Sequence, residues 1–569
     1  MARSRKRMPG QTAQAPAGKA TAGDERRRSA APLLKGAAVL GAAAIVSKLL
    51  GTLQKIPLQN MAGDKVFGIY NAVYPLYILI LTLASAGVPI AVSKFVSERA
   101  ALGRYDEAKR VFGIAALTLF VSGAVFCAAL YLSADGLAAA MGVREAGAAI
   151  RSVSFALLVV PVMAALRGYF QGLGDMVPTA VSQVAEQAVR VATMIALLLV
   201  YLHIGAADGR IAAGATFGSV AGAASGLAVL LPYWARRGRE SEHAGISKPE
   251  AGAREPAGRI LRQFVLYALP ICLGTIVMPM VALVDTFTIP RSLGASGMSE
   301  HDAVYAFGVY NRGLPLVQLV SLVATSMSAA LVPAIAEAAL HGRRELIRVR
   351  TELAVRFTWL IGLAASFGLA VAAKPLNVMF FASAEGTFTM ATLAFTALFS
   401  AVNVVSGSVL QGTGAVAVPA RNLLIAAALK LAGNLVLVPL WGIQGAAVSA
   451  VVAFAAASAL NVAALRRATG ARFAVGRDAL RPLLACGALC GAVALVLYGG
   501  APLLAAVAPA LAPRLQSTLL ALVGVAVGAA VYAAALFRAG AVTRRELEAA
   551  PGFGARALPW LVRLRLLRP

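Results

Sequence analysis

Lys48, Lys55, Glu186, Arg190, Asp285, Arg312 and Lys430 each stand inside a long apolar run of this 569-residue chain. A charge in hydrocarbon is costly, so such side chains face a partner or a watery cavity. Cations outnumber carboxylates five to two in this set. A surplus of positive charge in a low dielectric attracts an anion, and the planar fork of Arg312 matches phosphate oxygens. The chemistry on offer is binding and release of an anionic group. Lys48, Arg190, Arg312 and Lys430 are the candidate contacts in a central cationic cavity. An exporter of organic cations would be expected to place carboxylates there instead.

Spacing gives these charges partial partners. Glu186 and Arg190 stand at i, i+4, where they share a helix face and can neutralise one another, as a structural pair or a functional one. Lys430 has Ala426 in place of that acid. Asp285 is open to three roles: counter-ion to Lys430, counter-ion to Arg312, or a coupling-ion site. Lys48 and Lys55 lie on one face of a helix, with Lys48 about 20 Å beyond Lys35 and past the midplane. Lys55 approaches the outer interface, where a long side chain snorkels.

Other chemistry is absent from the pattern. Cys127, Cys272, Cys486 and Cys490 sit in apolar runs and read as packing thiols. His203, His243, His301 and His341 are scattered over loops and span ends, so no metal site is expected. There is no phosphate-binding glycine loop, no nucleophile elbow and no paired catalytic carboxylates; no catalytic residue and no cofactor is expected. A membrane-embedded sugar-phosphate transferase should carry acidic clusters for Mg²⁺ on its loops. The one comparable pair, Asp106-Glu107, is flanked by Arg104 and Lys109.

The elements that must hold these residues are membrane helices. The chain is 59% hydrophobic and 14% charged, against roughly 25% charged in a soluble protein. Apolar stretches of spanning length recur near 33–57, 67–93, 108–132, 147–166, 179–202, 211–233, 261–289, 303–333, 353–373, 387–411, 420–440, 442–465, 480–500 and 516–538. The expected fold is an all-α polytopic membrane protein of about 14 transmembrane helices. The net charge of +27 falls mainly on the tails and on alternate loops. That asymmetry places both termini in the cytoplasm and speaks for anionic lipid rather than nucleic acid.

Phe67-Gly68-Ile69-Tyr70-Asn71 and Phe307-Gly308-Val309-Tyr310-Asn311 repeat each other, each followed by a proline, Pro75 and Pro315. Gln171-Gly172 and Gln411-Gly412 share that offset, as do Arg190 and Lys430. Six spans per copy make the copies parallel repeats, with a substrate site at their interface. The expected organisation is a disordered basic tail (1–32), a six-helix lobe (33–235), a cytoplasmic linker (236–260), a second lobe (261–470), two added helices (471–540) and a basic tail (541–569). Residues 1–32 carry no cleavable signal pattern. The duplicated Pro75 and Pro315 are candidate hinges.

Several motifs carry a resemblance. Ser47-Lys48-Leu49-Leu50-Gly51, Gly87-Val88-Pro89-Ile90-Ala91-Val92-Ser93-Lys94, Arg167-Gly168-Tyr169-Phe170-Gln171-Gly172 and Pro178-Thr179-Ala180-Val181-Ser182-Gln183 resemble the lipid flippases of the multidrug/oligosaccharidyl-lipid/polysaccharide exporter superfamily. Within it the chain is similar to the stage V sporulation protein B family, which includes Gram-positive lipid II flippases. The resemblance covers residues 33–538. It implies alternating access and movement of undecaprenyl-pyrophosphate-linked peptidoglycan precursor from the inner to the outer leaflet of the bacterial cell membrane. It implies Lys48 and Arg312 as cavity residues, a groove for the lipid tail on the last two helices, and contact with the cell-wall synthesis machinery. The chain departs from the Gram-negative pattern: Gln54 and Lys55 stand where an Arg-Asp pair is expected, and the middle of span two carries no basic residue. Another lipid-linked polysaccharide repeat unit is the alternative substrate; a multidrug cation exporter and a sugar-phosphate transferase are further alternatives.

Overall fold

A computed structural model of the chain describes residues 22–85, 87–243, 255–473 and 479–542. Most of the expected tails, part of the linker and residues 474–478 lie outside the described residues. Within them the protein is all helix, with no strand. In lipid every backbone polar group must find its partner inside the protein, and the helix meets that demand within each segment.

The first half consists of α1 (Ala22–Leu53), α2 (Lys55–Ser85), α3 (Val88–Ala101), α4 (Tyr105–Leu132), α5 (Ala134–Met141), α6 (Ala146–Ser154), α7 (Ala156–Gly172), α8 (Val177–His203) and α9 (Asp208–His243). The second half answers with α10 (Ala257–Thr275), α11 (Val277–Ala295), α12 (Glu300–Asn311), α13 (Leu314–Leu340), α14 (Arg344–Val371), α15 (Ala373–Phe381), α16 (Thr387–Gly412), α17 (Ala417–Trp441) and α18 (Ile443–Thr469). Then come α19 (Arg481–Ala494), a π-helical turn at Leu495–Gly499, α20 (Gly500–Val507) and α21 (Pro513–Arg538). The sequence offset of the duplicated motifs recurs in the helix boundaries: α4 matches α14, α5 matches α15 and α8 matches α17 to within a residue or two.

Among the described residues, 12 helical segments are long and apolar enough to cross a membrane, where the sequence suggested fourteen. One of them, 38–101, is 64 residues long and takes in two of the expected spans. The expected span 261–289 is built instead from two 19-residue helices, α10 and α11, that meet at Ile276. Each expected span lies on helix, and the protein is a multi-pass membrane protein.

Two breaks matter for function. Gly63 interrupts α2 with φ 77° and ψ 177°, a conformation open to glycine and strained for other residues. The candidate hinge Pro75 sits further along, inside the continuous part of α2. The second break is Arg312-Gly313, between α12 and α13, with Pro315 in the first turn of α13, where proline lacks no needed donor.

The duplicated motifs pack directly on each other. A Cβ on Gly68 would overlap the carbonyl oxygen of Val304, and one on Gly308 would overlap that of Asp64. Asp64 and Val304 are themselves equivalent positions of the repeat, so the crossing of α2 and α12 is reciprocal. Small residues at such a crossing let two backbones touch. The face of the molecule around this crossing carries the turns after α4, α8, α11 and α15. It is tied by Lys65 to Glu145 (2.8 Å) and Asp208 (3.1 Å), and by Asn60 to the carbonyl of Phe380 (2.6 Å). At the opposite face α10 packs on α3: the Gly87 N–H donates to Cys272 Sγ (3.2 Å), and Arg99 pairs with Glu255 (2.9 Å).

Candidate functional site

Arg312 lies at the break between α12 and α13 and is 1% exposed. Its Nε donates to Asp64 Oδ1 (2.7 Å) and its Nη2 donates to Asp64 Oδ2. Nη1 reaches the carbonyl of Glu385 (3.2 Å), and Gln59 Nε2 also donates to Asp64 (3.1 Å). The result is a two-point, buried ion pair across the α2–α12 crossing. Arg312 therefore faces a carboxylate of the other half in this conformation, and the three roles considered for Asp285 reduce by one. Asp64 escaped the sequence reading because Gly63-Asp64-Lys65 looks like a polar turn between spans. A usable signal was there: Asp64 precedes Gly68 by one helical turn, and Arg312 follows Gly308 by one.

In the second half Asp285 is saturated. Its Oδ2 accepts from Lys430 Nζ (2.6 Å) and from the Tyr310 hydroxyl (2.9 Å), and its Oδ1 accepts from Asn434 Nδ2 (3.1 Å). Asn434 Nδ2 also donates to Thr288 Oγ1 (2.8 Å). Every member of this cluster is buried. Lys430 has thus found on α11 the acid that its own helix lacks. Where a coupling cation would bind, the carboxylate already holds an ammonium.

The first half is arranged differently. Glu186 accepts from Arg190 Nη2 on Oε1 (2.7 Å) and from Arg167 Nη2 on Oε2 (2.9 Å). Arg167 also donates to Ser182 Oγ (2.9 Å), whose hydroxyl donates to the carbonyl of Gly226 (2.8 Å). Two guanidinium groups share one carboxylate, which leaves a unit of positive charge. Arg190 Nε and the hydroxyl of Tyr77 are buried without a hydrogen-bond partner among the described residues. Arg167 lies one residue beyond the expected span 147–166; in the structure α7 continues to Gly172 and carries it inward.

Lys55 corrects an expectation. It does not reach for the membrane surface: it is 6% exposed, with Nζ 5.8 Å from the ring centroid of Tyr74. Helical hydrogen bonding continues through Gln54, whose N–H donates to the Leu50 carbonyl (3.0 Å); the chain breaks at Gly63 inside α2, so Lys55 before the break meets Tyr74 beyond it instead of continuing outward. Tyr70 and Tyr74 stack at 5.8 Å, and Gln54 Nε2 donates to the Tyr70 hydroxyl (3.4 Å). Lys48 is exposed beside the α1 face that packs on α8 through Ser47 Oγ and the Gln183 carbonyl (3.2 Å). Neither Lys48 nor Lys55 has an ion-pair partner among the described residues.

A second feature is apolar. A groove of about 940 Å³ runs between α13, α14, α19 and α21, lined by Val320, Leu360, Gly368, Leu489, Val493 and Tyr532 among others. Its one phenol is turned to the backbone, donating to the Leu360 carbonyl (2.9 Å). Among the described residues the structure thus holds a surplus of cations on α1, α2, α7 and α8, neutral pairs at Asp64–Arg312 and Asp285–Lys430, and an apolar groove between α13, α14 and the added helices. No group of three or more metal-ligating side chains occurs among the described residues.

Comparison with known proteins places these features in context. The family described as polysaccharide biosynthesis protein matches residues 33–339. Three relatives come from Bacillus subtilis (strain 168). The uncharacterized membrane protein YabM is 31% identical over 76% of this chain and 80% of its own length. Lipid II flippase MurJ is 28% identical over 77% and 83%. Stage V sporulation protein B is 27% identical over 76% and 83%. Among solved structures, a lipid II flippase in an inward closed conformation superposes with a TM-score of 0.62 at 11% identity, covering 88% of this chain and 99% of that one. An inward-facing multidrug resistance transporter of the MATE family superposes at 0.58 with 14% identity, covering 74% and 94%. The fold is common to both, so it does not choose between their substrates.

Proposed function

This chain belongs to the polysaccharide biosynthesis protein family, and from that premise we propose that it is a flippase for a lipid-linked anionic glycan, with lipid II as its substrate. The observation that carries this reading is the pairing of a net-positive interior on the first half with an apolar groove on α13, α14, α19 and α21. A pyrophosphate-linked lipid needs both: cations for the phosphates and a dry channel for the tail. Lys48, Lys55 and the Arg167–Glu186–Arg190 cluster supply the surplus charge, and the groove of about 940 Å³ supplies the channel. An organic cation would meet repulsion at the same place, which disfavours the multidrug reading.

The mechanism is alternating access. The basic loops lie on the face opposite the α2–α12 crossing, so by charge asymmetry that basic face is cytoplasmic. The crossing then closes the outer side, and the headgroup enters from the inner leaflet. Transport requires the Gly68–Gly308 contact to part and the Asp64–Arg312 pair to separate. The membrane potential is the drive we infer, with ~2.3 kcal/mol available per charge per 100 mV.

The test is lipid II accessibility at the outer leaflet of cells depleted of their own lipid II transporter and expressing this protein. Restored accessibility supports the reading. No restoration, with the protein correctly inserted, transfers the assignment to another lipid-linked polysaccharide unit.

A further inference from the structure

We propose that the contact of α3 with α10 is an inner gate latched by Lys94 and Arg99, and that the phosphates of an arriving anionic lipid release it by drawing both cations off their partners. The ligand class rests on the flippase reading above; the latch itself does not.

The run from Gly87 to Lys94 meets the other half at both of its ends. A Cβ on Gly87 would overlap the carbonyl oxygen of Ala268, so the two backbones touch there as α2 and α12 do at the opposite face. The thiol of Cys272 accepts from the Gly87 N–H (3.2 Å) and is 6% exposed. Lys94 Nζ stands 4.2 Å from the ring centroid of Tyr267, and Phe95 meets the same ring edge-on at 6.0 Å. Nearer the basic face Arg99 pairs with Glu255 (2.9 Å). From Gly87 to Arg99 these contacts extend over about 18 Å of helix. With Gly68 and Gly308 packed at the α2–α12 crossing, the halves are joined at both faces of the molecule.

The latch is built so that an anion undoes it. Lys94 lies on a ring face; the acid beside it, Glu98 on the same helix, stands 3.9 Å away, and both side chains are exposed. A phosphate oxygen would give that ammonium a charge-assisted hydrogen bond, which outweighs an exposed cation–π contact. Arg99 makes one close contact with Glu255 (2.9 Å) and lies 3.9 Å from Glu107, so no carboxylate meets its fork at two points. A phosphate would do so. A neutral lipid offers neither cation a better partner than it has.

The test uses Cys272 as the reporter, in full-length protein carrying Cys127→Ala, Cys486→Ala and Cys490→Ala in inside-out vesicles. A membrane-impermeant maleimide should label Cys272 slowly in this background. Lys94→Gln, Tyr267→Leu and Arg99→Gln should each speed labelling about fivefold, the factor for one partly exposed ion pair or cation–π contact. Lys94→Gln combined with Tyr267→Leu should gain no more than either alone, because both break one contact. A general loosening of the fold would not reproduce that. Lys109→Gln removes an equal charge from α4, which packs beside α3, and should change nothing. Added geranylgeranyl pyrophosphate should speed labelling of the background protein, and geranylgeraniol should not. In Lys94→Gln/Arg99→Gln the pyrophosphate should add nothing further. Unchanged labelling in the gate variants, additive effects of Lys94→Gln and Tyr267→Leu, or equal action of the two lipids would each overturn the proposal. A gate that the pyrophosphate opens, in a protein that fails to restore lipid II accessibility, would overturn the lipid II assignment and leave the latch standing.

Discussion

Arg190 and Lys430 occupy equivalent positions in the two halves of this protein, and the two halves treat them differently. Arg190 finds its acid on its own helix, one turn away, and must share it with Arg167. Lys430 finds its acid across the helix boundary, on α11, where Tyr310 and Asn434 complete the carboxylate's hydrogen bonding. The first arrangement leaves positive charge over; the second leaves none. Lys48 and Lys55 have no ion-pair partner among the described residues, which adds to the surplus on the first half. Both halves hold a buried cation at equivalent positions, and the placement of the carboxylate leaves one of them sharing its acid and the other fully paired.

Removing one member of the neutral pair should have the largest effect. Lys430→Met strands the Asp285 carboxylate in a buried site and should cost about 3–5 kcal/mol of stability, read by thermal unfolding in detergent. Adding Asp285→Asn should restore most of it. Arg190→Met should cost less, about 1–3 kcal/mol, because Arg167 still donates to Glu186. An Arg190→Met protein as unstable as Lys430→Met would erase the distinction between the halves.

The reciprocal crossing offers the next test. Gly308→Val forces its side chain into the backbone of α2 at Asp64 and should disfavour closure by about 1–3 kcal/mol. The readout is faster labelling, by an impermeant thiol reagent, of a cysteine placed at Tyr74 in a protein lacking Cys127, Cys272, Cys486 and Cys490. Gly68→Val should produce a similar rise, since it meets α12 at Val304 in the mirror position. A response from only one glycine would show that the crossing is not symmetric in energy.

Arg312→Lys is the mildest change. It keeps the charge beside Asp64 and loses the two-point fork, so a loss of about 1 kcal/mol is expected in the same unfolding assay. A loss as large as that of Lys430→Met would mean that geometry, not charge, holds this pair together.

Hydropathy was enough to place the helices, and the motif offset was enough to reveal the repeat, because both depend on local sequence. The partners of the buried charges were less accessible. Glu186 and Arg190 could be matched by helical periodicity, whereas Asp285 and Lys430 meet between helices that periodicity does not relate. Asp64 was hidden in a polar stretch whose glycine break turns it inward. Lys55 was misread because the break at Gly63, invisible to a hydropathy profile, folds the chain so that Lys55 meets Tyr74.

The most direct test sets one half against the other in the lipid II accessibility assay, at matched expression. The double variant Lys48→Ala/Lys55→Ala removes two cations with no ion-pair partner among the described residues and should abolish outer-leaflet accessibility while leaving the protein folded. The double variant Asp285→Asn/Lys430→Met removes a neutral pair and should retain it. Loss of transport in the second variant with transport intact in the first would contradict the assignment of anion binding to the first half.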